Sequence, residues 1–223
     1  MDFMEPISYP LKDLKKLLIG GLLIFPGMLL LLIPMIIAEG YTIKAAGDTV
    51  RHKDELPEFD DWGYFLMKGL GAFGICIIYG IIICIPIILI VLWQLGIFNV
   101  FEGMESIAVV IFLLFLIIAF LLAILFLFIV YIALVRYGEK ENIGAAFAVG
   151  EIFRNFKANL GNYIIGFIVL IAIGVVIQIL MFIAQITIVG ILFIGVISFY
   201  SSLVWMRMFA QIYNESKEKL GES

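Results

Sequence analysis

The chain has 223 residues, of which 64% are hydrophobic and 14% charged, with a formal net charge of −4. Soluble domains carry roughly 45–50% apolar residues, so neither this composition nor the mean hydropathy of +1.18 fits a water-soluble core. Apolar runs of about 20 residues cross a hydrocarbon layer of roughly 30 Å as helices, and these runs lack the alternation of barrel strands.

The predicted fold class is all-α: a polytopic helical membrane protein with four full transmembrane helices, an N-terminal re-entrant hairpin or fifth transmembrane helix, and an amphipathic helix on the cytoplasmic side. A polar segment, 1–16, precedes an apolar run at 17–38 that is broken by Gly20, Gly21, Pro26, Gly27 and Pro34. Its length and prolines argue against a cleaved signal peptide. A loop is expected over 39–61, and transmembrane helices over 69–95, 107–135, 163–184 and 188–209. Between the second and third of these four, 139–160 reads as an interfacial helix, and 210–223 as a tail; the whole chain forms one membrane domain.

Basic residues set the expected orientation. All 14 Lys and Arg lie before the first run, between the first and second, between the third and fourth, or at the C-terminus. The connections "GIFNVFEGMES" and "QITIVG" hold none, so they are expected outside and the basic segments in the cytoplasm. Five full crossings would strand Lys12, Lys15 and Lys16 on the wrong side. A hairpin folding back at Pro26-Gly27, with arms of roughly 10 residues or about 15 Å, restores consistency.

In the interfacial segment Val149, Ile152, Phe153, Phe156 and Leu160 share one helical face. That face either enters the acyl boundary, with Arg154 and Lys157 at anionic headgroups, or packs on the protein's own helices. Gly69-Leu-Gly-Ala-Phe-Gly74 matches a dinucleotide fingerprint but has no preceding strand and no acidic residue about 20 positions on, so close helix packing is expected. Ala72 and Cys76, Gly80 and Cys84, Ala119 and Ala123, and Ser198 and Ser202 are read as further small-residue packing pairs. Cys76 and Cys84 have no metal-site companions and read as buried thiols. His52 stands in a polar loop without a partner to make it a general base. No catalytic, metal or cofactor-binding residues are assigned, no cofactor is expected, and nucleic acid is not an expected partner.

The membrane interior reads as nearly free of charge. Gln94, Gln178 and Gln185 are its notable polar residues, acting as interhelical hydrogen-bond glue or lining a binding site. The absence of intramembrane Asp, Glu, Lys or Arg argues against an ion-coupled transporter.

The sharpest local feature is "DELPEFDDWGYF", which places Asp54, Glu55, Glu58, Asp60 and Asp61 within eight residues. Pro57 biases Leu56 toward an extended conformation, Asp60 or Asp61 is placed to cap a helix beginning near Trp62, and Phe59, Trp62 and Tyr64 suit headgroup level. Capping accounts for one or two carboxylates. The surplus pairs with Lys44, Lys53 or Arg154, binds a divalent cation, or stays solvated, and solvation is the reading taken. The motif Leu56-Pro57-Glu58-Phe59-Asp60-Asp61-Trp62, preceded by "EGYTIKAAGDTVRHKDE" and the N-terminal "LKKLLIGGLL", resembles the prokaryotic integral-membrane family catalogued as domain of unknown function 4013. The resemblance covers most of the chain. It implies an all-helical membrane protein of bacteria or archaea and supplies no catalytic residues.

The expectation that follows is a non-enzymatic membrane protein that binds or organises lipid, with a second copy or another membrane protein as a further partner. The alternative is a transporter or channel for a small neutral or apolar solute. A membrane enzyme would need clustered nucleophiles or acid–base groups at the bilayer surface, and only the acidic stretch offers half of such a site.

Overall fold

The computed structural model describes residues 2–29, 32–94, 105–186 and 188–222. The described residues form eight α-helices: α1 (Glu5–Ser8), α2 (Leu14–Leu29), α3 (Leu32–Val50), α4 (Trp62–Gln94), α5 (Glu105–Lys140), α6 (Val149–Ala158), α7 (Leu160–Gln185) and α8 (Ile188–Lys219). Among the described residues four stretches are long and apolar enough to span a membrane: Trp62–Ile81, Leu113–Lys140, Leu160–Gln185 and Phe193–Lys219.

The expected loop over 39–61 is corrected in its first half. α3 runs on to Val50, and Gly40 to Val50 are buried except for Lys44. Its small residues permit this: a Cβ on Gly40 would stand 1.9 Å from the Phe65 carbonyl oxygen, and one on Gly47 2.2 Å from that of Gly138. α3 is therefore wedged against α4 and α5 at near-backbone contact, which needs glycine.

α2 and α3 return to the same end of the bundle. Leu17 near the start of α2 shares a cluster with Ala38 and Tyr41 of α3 and Phe199 of α8, and Lys16 Nζ reaches the Leu56 carbonyl just beyond α3, at 2.8 Å. The reversal does not fall at Pro26-Gly27, which lies inside α2. Arms of 16 and 19 residues are about 24 and 28 Å long, well beyond the expected half-thickness.

Other boundaries move for local reasons. α4 begins at Trp62 because Asp61 Oδ1 accepts the Tyr64 N–H at 2.8 Å. The expected helix 139–160 is in three pieces: the end of α5, a 3₁₀ turn at Ile143–Phe147 capped by Asn142, and α6. The expected tail 210–223 continues α8 to Lys219, with Ala210, Ile212, Tyr213 and Ser216 buried. Most of "GIFNVFEGMES" and Thr187 of "QITIVG" lie outside the described residues.

Of the fingerprint glycines, a Cβ on Gly69 would stand 1.9 Å from the Ile36 carbonyl oxygen and one on Gly71 2.2 Å from the Tyr137 hydroxyl, whereas Gly74, like Gly80 beyond the motif, has nothing within 4 Å. Close packing thus holds at Gly69 and Gly71 and not along the whole stripe. Cys76 and Cys84 are exposed on the surface of α4, a correction of the buried reading.

Candidate functional site

Two arrangements stand out, a polar head at the charged end and a cavity further along the bundle. The head is organised by residues 53–57, which cross from α3 to α4. Five successive carbonyls there each accept a side-chain hydrogen bond: Lys53 from Arg207 (3.1 Å), Asp54 from Lys12 (3.4 Å), Glu55 from Tyr9 (3.3 Å), Leu56 from Lys16 (2.8 Å) and Pro57 from Tyr41 (2.8 Å). Pro57 keeps this segment out of a helix, which frees its carbonyls to accept.

Arg207 is the hub. Its Nε and Nη2 take the Glu5 carboxylate at 3.1 and 3.0 Å, Nη2 also reaches Asp54 at 2.8 Å, and Nη1 reaches the Thr49 hydroxyl at 2.9 Å besides the Lys53 carbonyl. The guanidinium lies 4.2 Å from the Tyr9 ring centroid. All five of its N–H donors are used. Hydrogen bonding to Arg207, and then its charge, holds the Asp54 carboxyl below the usual carboxylate range. Burial pushes the Tyr9 phenol up to about 12, so it remains a donor.

The motif residues can now be placed. Leu56 is buried; Phe59 stacks on Tyr41 at 4.1 Å and on Trp62 at 5.6 Å. Asp61, not Asp60, is the cap. The surplus acids find other partners than expected, because α1, α2 and α8 converge on this segment: Glu58 pairs with Lys16 at 2.6 Å and Asp54 with Arg207. Glu55 and Asp60 are exposed. Among the described residues no group of three or more His, Cys, Asp or Glu is placed to hold a metal ion.

A second network surrounds Glu141, which follows α5. It pairs with Lys68 and Arg51 at 3.4 Å and accepts from the Tyr64 hydroxyl at 3.1 Å. Lys68 is not a loop residue: it is 4% exposed and stands 5.3 Å from the ring centroids of both Tyr64 and Tyr137. Desolvation would raise the Glu141 carboxyl, but the Lys68 charge and the Tyr64 hydroxyl hold it below its ordinary value.

The apolar face of α6 is divided. Ile152 and Phe156 are buried against the protein's own helices, with Phe156 beside Phe128 and Tyr163, while Val149 and Phe153 are exposed, as is Leu160 at the start of α7. Arg154 pairs with Glu222, and Lys157 lies 4.9 Å over the Phe153 ring.

Further along the bundle, a cavity of about 400 Å³ opens between α3, α5, α7 and α8. Gln178, Ser198, Ser201 and Ser202 give it polar walls, Tyr131 and Trp205 an aromatic one, and Glu39 a carboxylate. Gln185 is exposed elsewhere on α7, and the Gln94 side chain lies outside the described residues. Glu39 was hidden in the sequence as the first residue of an expected loop; the structure places it within α3. It lies nine residues, about 13 Å, along α3 from Asp48, in the half that pairs with α4 below Trp62. The neighbouring Thr42 hydroxyl donates to its backbone carbonyl at 2.8 Å, and among the described residues no cation stands within ion-pair distance of its carboxylate. Its discoverable signal was helical spacing: Ala38, Tyr41, Thr42 and Ala45 continue the periodicity of the run before them.

No curated protein and no solved structure matches this chain. A family model described as a protein of unknown function (DUF4013) matches residues 23–186, a span that holds the acidic motif, Glu39 and Gln178. The chain belongs to the DUF4013 family.

Proposed function

We propose that this is a non-enzymatic, multi-pass protein of a prokaryotic cytoplasmic membrane, with its charged end in the cytoplasm, and that it binds lipid between its helices. On this reading α2 and α3 form a re-entrant hairpin: both outer ends join the head, where Glu5, Lys12 and Lys16 meet Arg207 and residues 54–58. Such a fold keeps every basic segment on one side. α6 lies in the interface, its exposed Val149 and Phe153, with Leu160 at the start of α7, toward the acyl boundary.

The observation that carries the proposal is the open, part-polar cavity at Glu39 and Gln178 beside α7. There Ile171, Val175, Val176, Ile179 and Leu180 are exposed around the helix. In a bilayer those side chains meet acyl chains, and a polar recess among them suits a headgroup or ester region. The head supports a non-enzymatic role in that Glu5, Asp54, Glu58 and Glu141 are each engaged by a cation.

The test is purification of the full chain in mild detergent, followed by lipid extraction and native mass spectrometry. The expected result is lipid retained at about one or two molecules per chain and a fall in Tm on delipidation. Lipid-free protein of unchanged Tm, together with saturable solute uptake by liposomes containing it, would replace this reading with a transporter.

A further inference from the structure

Glu39 lines two spaces rather than one. On one side is the polar cavity with Gln178 and the α8 serines. On the other is an apolar cleft of about 230 Å³ between α3 and α4, bounded by Leu32, Met35, Ile36, Ala72 and Phe73. A single carboxylate thus stands between a polar, aromatic recess and a slot with the chemistry of an acyl chain. Resting on the lipid-binding reading above, the geometry points to a more specific ligand: an amphiphile bearing an ammonium group, its cation at Glu39 and its chain in the α3–α4 cleft.

The site favours this class over its competitors. The nearby polar groups are an amide and hydroxyls; among the described residues lining the cavity there is no cation to pair with Glu39, and an anionic headgroup would bring a second acid against it. An organic ammonium supplies the missing charge and donates to Glu39, Gln178 and the serine hydroxyls, while the aromatic rings of Tyr131 and Trp205 attract a cation and pack on its carbons. A bare metal ion fits poorly, since a 400 Å³ space with one carboxylate leaves most of its coordination unmet. The tail follows from the cleft, whose lining is almost wholly apolar apart from Glu39. Two sources carry the same chemistry, an aminophospholipid of the bilayer and a free single-chain amine.

The experiment uses the full chain in detergent, with Tm recorded for each variant. Phosphatidylethanolamine and phosphatidylglycerol with matched acyl chains are offered together, and bound lipid is counted by native mass spectrometry. Decylamine is then added as competitor. We expect the unaltered protein to prefer the ethanolamine lipid and Glu39→Gln to lose that preference by roughly tenfold or more, the scale of a charge-assisted hydrogen bond. Gln178→Leu, which keeps the carboxylate, loses less. Displacement by decylamine shows that the site takes the amine from either source, and retention of the phospholipid against it assigns the bilayer lipid; both support the proposal. Lipid bound without preference by the unaltered protein overturns the ammonium assignment and leaves lipid binding standing. A folded Glu39→Gln protein with unchanged preference does the same. No retained lipid and no effect of decylamine on Tm overturns both.

Discussion

Replacing Arg207 by Met removes the hub of the charged end while keeping side-chain length and helix propensity. The cost follows from what each partner keeps. Glu5 retains Lys12 at 3.2 Å and Gln211 at 2.6 Å, and Thr49 retains its bond to the Ala45 carbonyl at 2.8 Å, so neither is stranded. That places the loss toward or under the lower end of the roughly 3–5 kcal/mol of an abandoned buried charge. Asp54 is 80% exposed and contributes under about 1 kcal/mol. The paired bonds to Glu5, with those to Thr49 and the Lys53 carbonyl, leave a net loss of about 2–4 kcal/mol. For a chain of this length that is a fall in Tm of about 5–15 °C, read by circular dichroism or scanning fluorimetry in detergent. Arg207→Lys recovers part of it, because an ammonium meets one carboxylate but not the forked set. The mutated head should also release residues 1–12 to protease before the helices melt. A Tm shift below about 2 °C for Arg207→Met would refute the assignment of Arg207 as the hub.

Asp61→Ala should cost about 0.5–2 kcal/mol through the lost cap on α4, whereas Asp60→Ala leaves Tm nearly unchanged; equal effects would disprove the capping assignment. Gly69→Ala drives a Cβ into the Ile36 carbonyl and should destabilise by about 1–3 kcal/mol, while Gly74→Ala stays within about 0.5 kcal/mol, and thermal melts of the two separate packing from any shared role of the glycine motif. The folded-state carboxyls of Asp54 and Glu141 lie below their ordinary values of 3.8 and 4.5, so their contribution is full above those values and is lost as pH falls through the folded ones. Tm should therefore drop on acidification below about pH 4.5, less steeply in Glu141→Gln, and an unchanged slope in that variant would remove Glu141 from the account.

How much could be read in advance depended on whether a residue's surroundings were local. The four long apolar helices follow from composition alone, and the start of α4 from Asp61 before Trp62, because a cap acts over three residues. α3 was read only as far as residue 38. Beyond it the apolar signal fades into Gly40, Thr42, Ala45, Gly47 and Asp48, residues that look like a loop because the surface they bury is backbone and polar side chain. Glu39 falls on that false boundary, so the sequence places it in the loop rather than on a helix that lines the cavity. Gln178 was found because an amide stands out in an apolar run. Its meeting with Glu39 and the α8 serines needed the three-dimensional fold. The acidic motif was located correctly and its partners were not, since Lys16 and Arg207 come from elements about 40 and 150 residues away in sequence.

The segment 53–57 engages four other elements chiefly through carbonyl oxygens, which every amino acid carries, and this turns it into a measure of distance rather than of chemistry. Its side chains at Glu55 and Asp54 can change with little effect on how α3 is joined to α4. A single inserted or deleted residue, by contrast, would displace every following carbonyl by about 3.3 Å from the donor that meets it. Tyr9, Lys12, Lys16, Tyr41 and Arg207 would lose their alignment together, and the N-terminal helices would come loose from α8. In this region, relatives should therefore vary in which residues they carry while holding the spacing between the end of α3 and Asp61 fixed.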